Sequence, residues 1–237
     1  MQQSLNIPFL IETFFTALSG VPVTLAVTAV ALLLSVPAGF LLALSRIREI
    51  PVLRELAKVY VSFVRGTPII VQIFITYASV PLFLTAFFEK YGIRANVYEI
   101  NPIWYAFIVF TFSTTAILSE VFRSALATVD RGQLEAAWSV GLTGFQAFRR
   151  IIVPQALVSA LPNLATATVN LIKATSLGYA LSLQEITLKA KVAANAGYNY
   201  IEAYIDIFLV YLILCMLVEF AFKKYEQRAS RFMVRHA

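Results

Sequence analysis

Long runs of apolar residues, separated by short polar segments, organise this chain. Four of the runs contain no Asp, Glu, Lys or Arg, and each reaches the roughly 20 residues that a helix needs to cross a bilayer. These runs are Thr13 to Ser45, Gly66 to Phe88, Ile100 to Ser119 and Ile151 to Ile172. A fifth run, around Ala203 to Phe222, has Asp206 and Glu219 near its ends, where charged side chains reach the polar interface. The pattern therefore predicts five membrane spans.

The first run is too long for one straight crossing. Gly20 and Pro22 interrupt it near its start, which predicts a separate interfacial or entry helix over Pro8 to Leu18. The predicted fold class is an all-α polytopic membrane protein with about five transmembrane helices. We expect residues 1–237 to form a single transmembrane domain.

The basic residues predict the orientation of the spans. Three segments rich in Lys and Arg follow the first, third and fifth spans, and they carry Arg46, Arg48, Arg54 and Lys58, then Arg123, Arg131, Arg149 and Arg150, then Lys223, Lys224, Arg228, Arg231 and Arg235. The opposite loops carry only Lys90, Arg94, Lys189 and Lys191. Because basic residues favour the cytoplasmic side, we expect the amino terminus outside and the carboxyl terminus in the cytoplasm.

Composition supports a membrane protein and excludes several other classes. Hydrophobic residues make up 59% of the 237 positions and charged residues 14%. The net charge of +6 is not gathered on one polar face, so it favours anionic lipid headgroups over nucleic acid. A single cysteine, Cys215, and a single histidine, His236, exclude an internal disulfide framework, a thiolate metal cluster and a histidine-based catalytic triad in this chain alone.

The predicted cytoplasmic segment over residues 130–150 has the pattern of a helical hairpin. Asp130 with Gln133, and later Thr143 with Gln146, have the spacing of capping boxes that start helices. Gly141 suits the left-handed position that ends a helix. The hairpin carries small and aromatic side chains that neither lipid nor so small a hairpin would bury, namely Ala136, Ala137, Val140, Phe145 and Phe148. We therefore expect the hairpin to dock on another protein.

The same residues resemble a known family. Glu135, Ala136 and Ala137, followed by Gly141, Ile151 and the Val153-Pro154 pair at the family spacing, resemble the EAA loop of bacterial ABC importer permeases. Val153 stands where leucine is usual. Arg65 to Pro68 with Gln72, Pro154 to Ala156, and Lys173 to Leu177 resemble the branch of those permeases that takes up polar amino acids. The resemblance extends from about Thr24 to the end of the fifth span.

The resemblance implies a mechanism and a set of partners. It implies a multi-pass permease of the bacterial cytoplasmic membrane with a type I importer fold. The permease would pair with a second copy or a related subunit, receive an amino acid from an extracytoplasmic binding protein, and dock its hairpin on a cytoplasmic ABC ATPase dimer. Glu135, Ala136, Ala137, Gly141 and Pro154 would form the coupling region. The chain has no G-x-x-x-x-G-K-[ST] loop, so ATP and Mg²⁺ would be bound by the partner and no cofactor by this chain.

The fourth span offers a polar stripe for the substrate. Asn163, Thr166, Asn170 and Lys173 are three, four and three residues apart, which places them on one helical face, and Ser176 follows one turn later. They either line the pathway, with Lys173 attracting a carboxylate, or serve as hydrogen-bonding contacts between helices. Elsewhere, Glu120 and Arg123 are spaced for a local ion pair, with a gate or a substrate contact in the pathway as the alternative, and Gln72 is a further pathway candidate.

Several functions remain open at this stage. The favoured interpretation is import of a polar amino acid, of which a sulfur-containing one such as cystine is one candidate. An ABC permease for another small polar or cationic organic solute fits the same residues. A gradient-driven secondary carrier is a further alternative, although it would not need a docking hairpin and five spans suit it poorly. A membrane enzyme lacks a cluster of paired carboxylates, histidines or an activated nucleophile.

Overall fold

The protein is almost entirely helical in a computed structural model that describes residues 5–93 and 96–234. The predictions that used Arg94, Arg235 and His236, and the side chain of Arg231, lie outside the described residues. Within them, ten α-helices follow one another. They are α1 (Ile7–Leu18), α2 (Val21–Ile47), α3 (Leu53–Gly66), α4 (Ile69–Tyr91), α5 (Pro102–Ala127), α6 (Arg131–Ser139), α7 (Gly144–Ala147), α8 (Val153–Thr175), α9 (Ile186–Asn195) and α10 (Tyr200–Val234).

Three short segments of other helical geometry connect these helices. Two are 3₁₀ segments, over Val97–Glu99 and over Ser176–Leu181. The third is a π-helical segment over Phe148–Ile152, which joins α7 to α8 without a break in the chain direction. Such π segments widen a helix by one residue and often lie at functional positions.

Five helical segments are long and apolar enough to cross a membrane. They are Ile7–Ile47, Ile69–Tyr91, Pro102–Ala127, Gly144–Leu181 and Tyr200–Ser230. This number confirms the predicted fold class of an all-α protein with five spans. The second span begins at Ile69 rather than at Gly66, because Gly66 ends the preceding helix and Thr67 and Pro68 separate the two.

The start of the chain forms the separate entry helix that the sequence predicts. Asn6 caps α1 by accepting a hydrogen bond from the Phe9 N–H at 3.2 Å, and Pro8 occupies the first turn, where its missing N–H costs nothing. The helix ends at Leu18, close to the predicted boundary. Its position at the membrane interface stays a prediction.

The chain divides into two compact units, of which the first comprises Met1–Leu33, Gly66–Ser113 and Asn170–Cys215. Its core is apolar and includes Val27, Ile73, Phe110 and Leu181, all fully buried. These side chains come from α2, α4, α5 and the second 3₁₀ segment, so burial of this cluster holds four elements together.

Gly20 allows the closest backbone approach within this first unit. A Cβ atom at this position would lie 2.4 Å from the Ile186 nitrogen and 2.6 Å from the Glu185 carbonyl carbon. The turn between α1 and α2 therefore packs directly on the first turn of α9. Lys189 strengthens the same contact, because its Nζ donates to the Ser19 carbonyl oxygen at 3.0 Å and to the Ser19 hydroxyl at 2.9 Å.

The second unit comprises Leu34–Arg65, Thr114–Val169 and Met216–Ala237. It contains α3, which the sequence analysis described only as a basic loop. Val61 and Val64 on α3 pack against Ala116 of α5 and are buried there. The apolar side of α3 continues into an exposed row that includes Leu56, Val59 and Phe63. The charged residues lie together on the other side of the helix, so α3 is amphipathic and only part of its apolar face is buried.

We expect Gly20→Ala to destabilise the protein, because the new methyl group would meet main-chain atoms that cannot rotate away. Overpacking of this kind costs about 1–3 kcal/mol. The matched control is Gly144→Ala, since nothing lies within 4 Å of a Cβ atom at Gly144. Thermal unfolding of the purified variants in detergent measures the difference. Equal unfolding temperatures for the two variants would contradict the close packing at Gly20.

Candidate coupling hairpin and translocation pathway

The hairpin predicted over residues 130–150 forms, and the first turn of each of its two helices is capped. The Asp130 carboxylate accepts a hydrogen bond from the Gly132 N–H at 2.6 Å and so starts α6. The expected reciprocal box with Gln133 is wrong in its detail, because Asp130 satisfies Gly132 and not the Gln133 N–H, which donates to the Asp130 carbonyl oxygen instead. The cap itself is the one predicted.

The turn at the tip of the hairpin has a defined hydrogen-bonding pattern. Gly141 has a φ of +82°, the left-handed conformation predicted for it. Its N–H donates to the Trp138 carbonyl oxygen, and the Leu142 N–H donates to the Ala137 carbonyl oxygen, both at 3.0 Å. This pair of bonds is a Schellman motif, which satisfies carbonyl groups at the end of α6. The tip is therefore a fixed turn.

The second capping box is confirmed. The Gln146 N–H donates to the Thr143 hydroxyl at 3.3 Å, and the Thr143 N–H donates to the Gln146 side-chain oxygen at 2.9 Å. These reciprocal bonds start α7 directly after the turn. The short helix then runs into the π segment, in which the Val153 N–H donates to the Phe148 carbonyl oxygen five residues earlier.

Pro154 explains why a π segment stands at this place. Proline has no N–H, so the carbonyl oxygen of Arg150, four residues earlier, loses its usual helical donor. A wider turn over Phe148–Ile152 lets the chain pass this position without ending the helix. The sequence analysis assigned Pro154 to the coupling region, and the structure places it in the first turn of α8.

The small and aromatic side chains of the hairpin divide between two environments. Ala137 and Ala147 are buried, and α6 contacts both α7 and the π segment that follows. Phe148 is half-buried, because the Arg48 guanidinium lies over its ring at 5.0 Å from the centroid. Val140 and Phe145, by contrast, are 75% and 68% exposed. The predicted docking surface is thus smaller than expected, because Ala137 and Phe148 face inward.

Glu135 and Ala136 remain on the outer side of α6 and are exposed. Trp138 adds a large side chain that is also exposed, which the sequence analysis did not select. Together Glu135, Ala136, Val140 and Phe145 present one carboxylate and three apolar groups at the tip of a capped turn. We call this set of four residues the hairpin tip.

The polar stripe of the fourth span is a real feature of α8. Asn163, Thr166, Asn170 and Lys173 are all exposed on it, whereas Ser176 is half-buried where the 3₁₀ segment begins. The Thr166 hydroxyl donates to the Pro162 carbonyl oxygen at 3.1 Å, a bond within its own helix. Within the part of the chain that the structure describes, the side chains of Asn163, Asn170 and Lys173 make no hydrogen bond or ion pair. Polar groups in a spanning helix are costly without a partner, so this stripe faces something other than this chain's own packing.

Glu120 and Arg123 form the ion pair that their spacing predicts, and Arg46 joins it. Arg123 donates to one Glu120 oxygen through Nη2 at 2.9 Å and Nε at 3.0 Å, and Arg46 donates to the other oxygen. The Arg46 and Glu120 side chains are only 16% and 20% exposed. Two arginines therefore neutralise one carboxylate, which leaves a net positive group where α2 and α5 meet. The local spacing that predicts the Glu120–Arg123 pair gives no sign of Arg46, which lies 74 residues from Glu120 in the sequence.

Gln72 is buried and hydrogen-bonds to Thr67, five residues earlier in the chain. Its Nε2 donates to the Thr67 hydroxyl at 2.9 Å and to the Thr67 carbonyl oxygen at 3.2 Å. These bonds satisfy polar groups at the break between α3 and α4, as a membrane environment requires. Gln72, one of the predicted pathway candidates, therefore hydrogen-bonds to the chain at the break between α3 and α4.

Glu185 is a buried acidic residue that the sequence analysis did not select. It is fully buried, it accepts from the Thr187 N–H at 2.7 Å and the Leu188 N–H at 2.9 Å, and it thereby caps α9. The Tyr211 hydroxyl donates to the same carboxylate at 2.9 Å. Burial raises the pKa of Glu185 to about 7, against the opposing effect of these donors. The only sequence signal was its position two residues before Thr187, a weak pattern for a helix start.

The described residues contain no group of three or more His, Cys, Asp or Glu side chains placed to hold a metal ion. Cys215 is buried. The features that remain are the hairpin tip, the α8 stripe and the ion cluster around Glu120. Five apolar spans with an ordered, exposed hairpin between two of them define a multi-pass membrane protein with a surface for a partner.

Comparison with known proteins gives the family. A family model described as the binding-protein-dependent transport system inner membrane component matches residues 35–231. The chain belongs to this family, and it is a permease subunit of an ABC importer. It is accordingly a multi-pass protein of the cytoplasmic membrane, in a family whose ATPase is a separate subunit.

Relatives of similar length extend the comparison. The L-cystine transport system permease protein TcyL of Bacillus subtilis strain 168 is 37% identical over 93% of this chain and 90% of its own. The probable amino-acid permease protein YxeN of the same organism is 35% identical over 94% of this chain and 95% of its own. The nopaline transport system permease protein NocM of Agrobacterium fabrum strain C58 is 33% identical over 90% of this chain and 88% of its own.

Solved structures share the fold. A chain from the crystal structure of an amino acid ABC transporter with histidines superimposes with a TM-score of 0.80 at 25% identity, covering 95% of this chain and all of that one. An inward-facing MetNI methionine ABC transporter chain superimposes with a TM-score of 0.69 at 18% identity, covering 94% of this chain and 97% of that one, which is a likeness of fold alone.

Proposed function

We propose that this chain forms the membrane pathway of an importer for a polar amino acid and that its hairpin docks on a cytoplasmic ABC ATPase dimer. The observation that carries this proposal is the hairpin tip. Val140 and Phe145 are 75% and 68% exposed on a turn that hydrogen bonds hold in place. Exposed apolar groups on a rigid turn are typical of a docking site, because the turn loses little conformational freedom on binding.

Each residue of the coupling region has a proposed role. Glu135 orients the hairpin through hydrogen bonds to the ATPase, and Ala136 permits close approach. Ala137 acts inside the hairpin, where its small size lets α6 pack on the following segment. Gly141 forms the turn, and Pro154 sets the π segment through which the hairpin continues into α8.

The proposed orientation places the hairpin in the cytoplasm. The segments that contain Arg46, Arg123 and Lys223 then lie inside, the amino terminus lies outside, and an extracytoplasmic binding protein delivers the substrate to the opposite side. ATP and Mg²⁺ belong to the partner ATPase, since this chain carries no phosphate-binding loop and we assign it no catalytic residue and no cofactor.

The substrate class follows from the names of several relatives. They are described as permeases for cystine, for nopaline and, in Rickettsia typhi, putatively for glutamine. These solutes share an α-amino-acid unit with its carboxylate and amino group, and they differ in the rest of the molecule. We infer that this chain carries a polar amino acid, of which cystine is the first to test. ATP-dependent uptake of none of the labelled amino acids would favour another small polar or cationic solute.

The α8 stripe is our proposed pathway. Asn163, Thr166 and Asn170 offer neutral donors and acceptors, and Lys173 offers the positive charge that a carboxylate needs. A second permease, identical or homologous, would face this stripe across a twofold axis and close the pathway from the other side. Ser176, half-buried beyond Lys173, would mark its end. Gln72, Glu120 and Arg123 then support the helices that form the pathway and do not bind the solute.

ATP-dependent uptake in proteoliposomes tests the docking proposal. The vesicles contain this chain, its ATPase and its binding protein, and a panel of labelled amino acids is offered. We expect Glu135→Arg to abolish uptake and to reduce ATPase copurification at least tenfold, because a charge reversal on the hairpin tip repels or fails to pair with the ATPase.

The matched control is Glu89→Arg, the same change at an exposed carboxylate near the other end of the second span. It should transport like the wild type. Uptake by the wild type that does not require ATP and survives Glu135→Arg would contradict the proposal and favour a gradient-driven carrier.

Substitutions in the α8 stripe separate a pathway from a packing role. We expect Asn170→Leu and Lys173→Met to raise the KM for uptake roughly tenfold or more, because a lost hydrogen bond to a charged group costs about 1.5–3 kcal/mol. Thermal stability and ATPase copurification should not change. The control is Leu157→Ala, on the opposite side of α8. A fall in stability or in subunit assembly with an unchanged KM would show that the stripe serves contacts between helices.

A further inference from the structure

Arg46, in the last turn of α2, and Arg48, just after that helix, contact two different elements of the second unit. Arg46 donates to Glu120 near the end of α5. Arg48, two residues later, lies with its guanidinium 5.0 Å from the centroid of the Phe148 ring. The end of α2 is thus tied to α5 by an ion pair and to the base of the hairpin by a cation–π contact.

Phe148 occupies the junction between the hairpin and α8. It directly follows Ala147, which is buried inside the hairpin, and it is the first residue of the π segment. Its carbonyl oxygen accepts the N–H of Val153, the first residue of α8. A displacement of the hairpin must therefore move Phe148, whatever happens further along the chain.

The contacts around Glu120 extend this connection to the third span. Glu120 also accepts two hydrogen bonds from Arg123, so its carboxylate is held from both sides. At 20% exposure it is screened from water more than an ordinary surface ion pair is, and such pairs keep more of their strength. Arg46 and α5 should consequently move together.

We propose that Arg48 and Phe148 are positioning residues that transmit displacement of the hairpin to the ends of α2 and α5. The hairpin then acts on three spans: on α8 through the covalent π segment, on α2 through the Arg48–Phe148 contact, and on α5 through Arg46 and Glu120. The inference rests on the proposed docking of the hairpin and adds the route inside this chain by which the motion spreads. A rigid connection of this kind makes a small shift at one end move packed helices together.

Arg149 and Arg150 provide the contrast within the same π segment. Both are exposed, and within the described residues neither makes an ion pair or a ring contact. If charge alone mattered at this position, removing one of them would act like removing Arg48. If the contact between Arg48 and Phe148 matters, only substitutions of these two residues reduce ATPase stimulation and import per ATP.

The test uses the complete complex, with its ATPase and binding protein, in proteoliposomes. The variants are Phe148→Leu, which keeps an apolar side chain and removes the aromatic face, Arg48→Gln, and the two combined. Arg149→Gln is the matched control. The measured quantities are ATPase stimulation by loaded binding protein, solute imported per ATP hydrolysed, and ATPase copurification.

We expect Phe148→Leu and Arg48→Gln each to reduce stimulation and import per ATP about two- to fivefold, the range that an exposed cation–π contact supports. Copurification should stay at the wild-type level, and the double variant should be no worse than either single variant. Phe148→Trp and Arg48→Lys should recover most of the loss, and Arg149→Gln should behave like the wild type. If Phe148→Leu folds poorly, a comparison of Arg48→Gln with Arg48→Lys tests the same contact and leaves the Phe148 ring unchanged.

The inference would be overturned if Phe148→Leu and Arg48→Gln kept wild-type stimulation of ATP hydrolysis. It would also be overturned if the reductions in stimulation of the two single variants multiplied in the double variant. Both outcomes would leave the docking proposal intact. Equal losses in Arg149→Gln would also overturn it, because they would assign the effect to charge alone. Failure of the ATPase to copurify with the wild-type chain would overturn the docking proposal, and this inference with it.

Discussion

Lipid offers no hydrogen bonds to a peptide backbone, and this constraint governs where the chain is allowed to depart from a regular helix. Each departure carries its own compensation. Gln72 bonds to Thr67 where α3 gives way to α4, and the Glu185 carboxylate accepts two N–H groups where α9 begins. Just before Pro154, the Val153 N–H bonds to the Phe148 carbonyl oxygen in the wider π segment. Irregular backbone at these positions is thus accompanied by hydrogen bonds from side chains or by a wider helical turn.

Because lipid cannot pair with polar side chains either, polar residues that bond within this chain differ from polar residues that are exposed on it. Gln72, Glu120 and Glu185 are all engaged by neighbours within their own unit. The α8 stripe and the hairpin tip differ, because their polar or apolar groups are exposed on ordered elements. Under the proposed function, the α8 stripe contacts a solute and a second permease, and the hairpin tip contacts the ATPase.

The sequence predicted the features that depend on local pattern. The five spans, the entry helix, the left-handed Gly141 and the Thr143–Gln146 box follow from hydropathy and capping rules and are confirmed. Features that depend on distant residues were missed: Arg46 with Glu120, Arg48 with Phe148, and Glu185 with Tyr211. Helix α3 was missed because only the basic residues of this segment entered the prediction, although its apolar residues recur with the period of an amphipathic helix. The pathway roles of the stripe residues stay predictions, because spacing fixes a helical face but not what that face contacts.

The most direct test of this account is the side of the membrane on which the hairpin tip lies. Val140→Cys is made in a Cys215→Ala background and labelled with a membrane-impermeant maleimide, with Tyr198→Cys as the reference for the outer side; both positions are at least 75% exposed. The account predicts labelling of Val140→Cys only in inside-out vesicles, with protection when the ATPase is bound, and labelling of Tyr198→Cys only in intact cells. Labelling of Val140→Cys from the outside of intact cells would contradict the orientation and the docking of the hairpin.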